Sequence, residues 1–218
     1  MFPAIKGEHY RLECSDCQFP FFIDANSTPA SYMAVCPNCG FDQNSFADLA
    51  VRPSDKYRLQ PQTNDFNRWD IVGLRIPNQP SDAAWAVKRI VGLPGELIEI
   101  RGGNLFANGQ LLVKPLAIQK PMLVAVFDSA FSPRHPTVPR FTREDLGTLW
   151  QKQDGEWIAT NQPGQSPIGW FTYRHLRGYR HQADRYQYTP IEDSYAYNQN
   201  VARSLHPVAE IMVMVDIG

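Results

Sequence analysis

The sequence has no apolar run approaching the ~20 residues a membrane-crossing helix requires, and no basic and apolar tandem of a targeting peptide. The polypeptide as written is therefore expected to be soluble. It also lacks a dominant charge: 21 Lys and Arg stand against 22 Asp and Glu, a net charge of −1. That balance excludes the one-signed basic face of a nucleic-acid binder. Long helical periods are scarce. The five histidines, His9, His135, His175, His181 and His206, include no pair at metal spacing and none beside a Ser-Asp pattern, so they read as surface or hydrogen-bonded residues. What the chain has in quantity is turn chemistry. Eighteen prolines and fourteen glycines in 218 residues point to an all-β, turn-rich protein.

Cysteine is also sparse, and its placement is informative. The four occur as Cys14-x-x-Cys17 and Cys36-x-x-Cys39, with residues 18–35 between. Each C-x-x-C makes a knuckle presenting two thiolates, and two knuckles complete a tetrahedral Cys₄ set, so the pattern predicts a zinc ribbon. Gly40 suits the left-handed turn after the second knuckle. Phe19 to Ile23 and Tyr32 to Val35 are expected as short strands of the ribbon hairpin. No open ligand position is evident, so the zinc is read as structural, with no cofactor for catalysis. Two disulfides are the alternative, suited to an extracytoplasmic face.

The stretch from Trp85 to Gly109 organises the rest. Alternation puts Trp85, Val87, Arg89 and Val91 on one face of a strand and Ala86, Lys88 and Ile90 on the other. Lys88 thus lies between apolar neighbours, where loss of water favours the neutral amine, a usable general base. The competing reading is an edge-strand lysine that discourages aggregation. Gly92-Leu93-Pro94-Gly95 breaks the strand. A second strand, Glu96 to Arg101, then leads through Gly102-Gly103, a strand Asn104 to Ala107, and Asn108-Gly109, a type I′ hairpin turn.

K-R-I-V-G-L-P-G-E followed by E-I-x-x-G-x-L-x-x-N-G resembles the lysine box of bacterial type I signal peptidases, serine/lysine endopeptidases of family S26. Arg68-Trp69-Asp70-Ile71-Val72 resembles that family's R-x-G-D-I-V strand, with Trp69 where Gly is usual. Ser54 to Leu59 resembles a degenerate G-D-x-x-L-V box in which Ser54 replaces a glycine and reads as structural. The resemblance covers about Asp55 to Leu112 and implies the general-base role for Lys88. The family's nucleophile lies in S-M-x-P after a membrane helix. Here Met1-Phe2-Pro3 matches M-x-P, so the serine is expected just before Met1, outside the sequence. A chain started late at an internal methionine is the favoured explanation; a deliberate soluble fragment and a natural inactive relative are the others. The polypeptide as written is then expected to lack its nucleophile and to be inactive. The late G-D-N-x-x-x-S-x-D-S-R box is absent; Asp184-Arg185 and Asp193-Ser194 resemble it only faintly. The inserted ribbon resembles a subgroup from planctomycete bacteria.

The resemblance implies an all-β fold: a signal-peptidase-like β core (residues 1–12 and 45–120), an inserted zinc ribbon (13–44), and a further C-terminal β-rich module or insertion (121–218). It implies signal peptides of exported preproteins as substrates. It also implies anchorage of the full protein in the cytoplasmic membrane by a missing N-terminal helix, with the catalytic part outside. Rival readings are a non-catalytic binding module built on the ribbon and the β module, and another Ser-Lys protease such as a self-cleaving repressor. Further strands are expected near Tyr57 to Leu59, Ile71 to Ile76, Leu111 to Ala117, Leu123 to Phe127, Glu156 to Thr160, Gly169 to Leu176 and, buried, Ile211 to Val215. A short helix is expected from Thr142 through Trp150, and irregular loops over Pro77 to Asp82 and Ser132 to Pro139. Trp150, Trp157, Trp170, Phe171, Tyr173 and Tyr179 read as core and sheet-face residues rather than a binding face.

Overall fold

Short strands joined by tight turns are what so much proline and glycine builds, and the computed structural model shows this. It describes residues 5–60, 65–76, 85–134, 139–143, 150–153, 156–159, 170–178, 186–193, 204–208 and 210–215. In chain order the strands are β1 (His9–Glu13), β2 (Pro20–Asp24), β3 (Met33–Ala34), β4 (Asn44–Ser45), β5 (Ile71–Arg75), β6 (Trp85–Arg89), β7 (Ile98–Arg101), β8 (Asn104–Ala107) and β9 (Gln110–Leu111). After a one-turn helix α1 (Leu116–Gln119) and a 3₁₀ turn (Lys120–Met122) come β10 (Phe141–Arg143), β11 (Trp150–Gln153), β12 (Glu156–Ala159), β13 (Phe171–Tyr173), β14 (Leu176–Gly178) and β15 (Tyr186–Tyr188). The fold is all-β. No helix among the described residues is long and apolar enough to cross a membrane.

The chain divides into two units. The first comprises Met1–Tyr10, Asp24–Asn26 and Ala50–Val124. It carries the antiparallel pair β5–β6 and the meander β7–β8–β9. The β8–β9 turn is the expected I′ hairpin, with Asn108 at φ 50° and Gly109 at φ 79°. Trp69 and Ala107 are this unit's buried apolar residues among those described, while Ile71, Leu74, Leu97, Ile100, Leu111 and Val113 are exposed.

The second unit comprises Arg11–Ile23, Ser27–Leu49 and Ala125–Gly218. Most of the described core lies here: Phe21, Ile23, Ala34, Phe46 and the four cysteines are all buried. The pairs β10–β13, β11–β12 and β14–β15 follow. Phe127, Phe141 and Tyr173 form one aromatic cluster with ring centroids 5.3–5.6 Å apart. Trp157 packs on Phe171 at 4.8 Å.

Several expectations are corrected. The strands between the cysteine pairs do not pair with each other. β2 pairs with β1 and β3 with β4, because each C-x-x-C turn closes its own hairpin. Leu111 to Ala117 does not continue as strand: Pro115 fixes an extended φ of −57° ahead of α1. Tyr57 to Leu59 is not a strand; Leu59 instead rests on Gly73, where a Cβ would lie 2.6 Å from its Cδ1. Leu123 to Phe127 is irregular, and the Gly169 to Leu176 strand splits at Arg174 and His175. Ile211 to Val215 is neither strand nor buried: Val213 is 78% exposed, since no described strand lies beside this apolar run to cover it. The Pro77 to Asp82 loop and most of the Thr142 to Trp150 helix lie outside the described residues. So do His135, Tyr179, His181, the Asp184-Arg185 pair and the Met1-Phe2-Pro3 match.

Candidate metal centre and the lysine strand

Both cysteine turns are built alike. The Gln18 N–H donates to the Cys14 carbonyl at 2.9 Å, and the Cys14 N–H to the Phe19 carbonyl at 2.9 Å. In the second turn the Gly40 N–H donates to Cys36 at 2.9 Å, and the Cys36 N–H to Phe41 at 2.8 Å. The residue after each second cysteine is left-handed: Gln18 at φ 65° and Gly40 at φ 79°. Gly40 meets this demand freely, and Gln18 meets it against the Cβ penalty.

The turns bring four sulfurs together. Cys14 and Cys39 Sγ are 3.6 Å apart, as are Cys17 and Cys36 Sγ, and all four lie within 4.8 Å of one another. At these separations the thiols are free, since a disulfide holds its sulfurs at about 2.05 Å. Four thiolates around a tetrahedral ion with bonds of about 2.3 Å would stand roughly 3.8 Å apart, so the donor set fits a metal ion. Hydrogen bonds from the Cys36 and Cys39 thiols hold Cys14 well below the usual thiol range. The same bonds to Cys14 hold Cys36 and Cys39 above it. A divalent cation would replace these shared protons and favour the thiolate at every position.

Three buried polar side chains frame the sulfurs, and the sequence reading missed all three. Asn44 accepts from the Ser15 N–H at 2.9 Å and donates to the Ala34 and Phe41 carbonyls at 3.2 and 2.9 Å, joining the two hairpins. Asn38 donates to Cys17 Sγ at 3.7 Å. Asp16, inside the first knuckle, is buried and accepts a backbone hydrogen bond. The available signal for two of them was an amide or carboxylate directly before the second cysteine of each turn, the position that is buried here, whereas Ser15 beside it is exposed.

Lys88 stands on β6 opposite Val72 of β5, in a register running from Ile71↔Arg89 to Arg75↔Trp85. Its side chain is exposed. The burial expected from alternation is therefore corrected. Alternation selects a face, but burial needs a second layer over each position, and here Ala86 and Ile90 are half-buried while Lys88 between them is exposed. The corner after β6 is firmly built. Glu96 accepts from the Leu93 N–H at 2.8 Å and from Arg68, which also donates to the Val91 carbonyl. Gly95 takes φ 83°, and the Glu96 N–H returns to the Leu93 carbonyl at 3.2 Å. Trp69 sits at φ 78°, in the place where a glycine would be at ease. Its N–H donates to Ile90 at 2.8 Å, and its carbonyl accepts from Arg89 at 2.6 Å. The described histidines are hydrogen-bonded or at the surface, His9 to the Gly7 carbonyl and His175 to the Tyr173 hydroxyl.

Residues 46–141, a little under half of the chain, match the family described as signal peptidase, peptidase S26. Two similar proteins are both called signal peptidase I P, from Bacillus subtilis subsp. natto. One is 48% identical over 48 residues, 22% of this chain and 24% of that protein. The other is 36% identical over 67 residues, 31% of this chain and 32% of that protein. The chain thus spans a quarter to a third of the curated relatives it matches. No solved structure matches.

Proposed function

We propose that this chain carries the base-bearing part of a serine endopeptidase of the signal peptidase I type, which removes signal peptides from exported preproteins. The observation that supports this is Lys88 on β6, just ahead of the corner closed by Arg68 and Glu96 and inside the matched residues 46–141. In this reading Lys88 Nζ, as the neutral amine, takes the proton of a serine hydroxyl. The serine oxygen attacks the carbonyl after a small residue at the cleavage site, backbone amides hold the oxyanion, and the proton passes to the leaving amine. Because Lys88 is exposed in this structure, the reading requires a cover over it in the working enzyme, and the bound signal peptide is assigned that part. It also requires a serine and a membrane anchor ahead of Met1.

The four cysteines are read as holding one zinc ion that supplies folding free energy to the ribbon. The domain division at residues 12, 44 and 120 belongs to the same reading. The test is to express the gene with its codons upstream of Met1, reconstitute the product in vesicles, and offer a preprotein with a small-residue cleavage site. Processing is expected, and Lys88→Ala should abolish it. A variant that still processes would remove Lys88 from its role. A residue other than serine before Met1 would favour the binding-module alternative.

A further inference from the structure

We propose that the two cysteine knuckles form one docking platform for residues 128–134, with Asn38 and Asp16 as its positioning residues, so that loading the four sulfurs with metal sets whether that segment is held. This rests on the metal reading above. Each knuckle contributes the residue just before its second cysteine. From the second, Asn38 accepts the Asp128 N–H at 2.7 Å and donates to the Phe131 carbonyl at 2.9 Å. From the first, Asp16 accepts the Arg134 N–H at 3.0 Å. The Phe131 ring meets Phe19, the second residue after Cys17, edge to face at 5.2 Å.

Asn38 is 1% exposed, so its amide has water for no other partner. The same Nδ2 also faces Cys17 Sγ at 3.7 Å, the outer-shell arrangement that steadies a metal thiolate. One side chain therefore reports the state of the sulfur cluster to a segment 90 residues further along the chain. The grip needs both knuckles at a fixed spacing, because the two anchored amides, Asp128 and Arg134, are held by different hairpins. An ion bound by all four sulfurs fixes that spacing; four free thiols impose it only weakly.

The test uses the whole chain, loaded with zinc or cobalt(II), then stripped with chelator. Amide exchange at Asp128 and Arg134 is followed by NMR, and β5–β6 and β7–β8 amides serve as internal reference. With metal, both amides should be protected. Stripping should speed their exchange at least about tenfold, the scale of a lost hydrogen bond, with the reference amides unchanged. Asn38→Ala should still bind cobalt with the thiolate charge-transfer band, yet exchange about tenfold faster at Asp128. That variant decides the matter even if chelation loosens the whole second unit. Unchanged protection at Asp128 in metal-loaded Asn38→Ala, or at both amides after stripping, overturns the proposal while leaving the metal reading intact. A chain that takes up no metal overturns both.

Discussion

Arg68 and Glu96 close the corner after β6 through one ion pair, and Glu96 also accepts the Leu93 N–H. The guanidinium first, and the Leu93 amide second, hold the Glu96 carboxyl below its ordinary 4.5. A carboxyl depressed in the folded state adds stability above its unfolded value and loses it as pH falls through the folded one. The urea midpoint of the first unit should therefore drop as pH falls below about 4.5. Glu96→Gln should flatten that part of the profile, and an unchanged slope would exclude Glu96 as its source.

Trp69 sets buried area against backbone strain. Its indole is 7% exposed at φ 78°. Losing a buried Trp side chain costs about 3–5 kcal/mol, whereas an L-residue held left-handed costs roughly 1–2 kcal/mol. Burial wins, so both Trp69→Ala and Trp69→Gly should destabilise. Only glycine escapes the strain, so Trp69→Gly should be the more stable of the two by about 1 kcal/mol. Denaturant titration of both variants checks the order.

Lys88 is exposed on β6, so Lys88→Ala should move stability by no more than about 0.5 kcal/mol. Its effect on processing in the extended enzyme would then reflect chemistry. A large loss in thermal stability would instead give Lys88 a structural role.

The cysteine cluster should take one divalent ion per chain. Thiol protons compete with the ion, and Cys36 and Cys39 lie above the usual thiol range. Metal loading should therefore release protons and weaken as pH falls. Cys39→Ser should cost more than the roughly 10–100-fold in affinity that an outer-shell change costs. Titration calorimetry in two buffers reads both effects.

Gln18 and Gly40 occupy equivalent places after the two knuckles, both left-handed. Gln18→Gly should stabilise the metal-loaded chain by up to about 1 kcal/mol. Destabilisation would mean that the Gln18 side chain contributes more than its backbone costs.

Local features were the legible ones. The knuckles, the Asn108-Gly109 turn and the corner at Gly92 to Gly95 each depend on a few adjacent residues, and the sequence states them outright. The all-β class followed from the same turn density. Burial was not legible where it depends on a distant layer: alternation put Lys88 between Ala86 and Ile90 but said nothing of what covers that face. The same holds for Ile211 to Val215, an apolar run with no described partner strand. Asn38 and Asp16 went unread because their backbone partners lie 90 to 118 residues away, and a lone amide carries no periodicity.

The Asn38 contacts also fix an order of events during synthesis. The ribbon hairpins are complete once Phe41 and Asn44 have left the ribosome, yet the Asn38 amide waits for Asp128, 90 residues beyond it in the chain. At about 5–20 residues per second, that is an interval of roughly 5–20 s. Throughout it the Asn38 amide has water in place of the 128–134 backbone, and a chaperone or stray peptide backbone has that long to displace it.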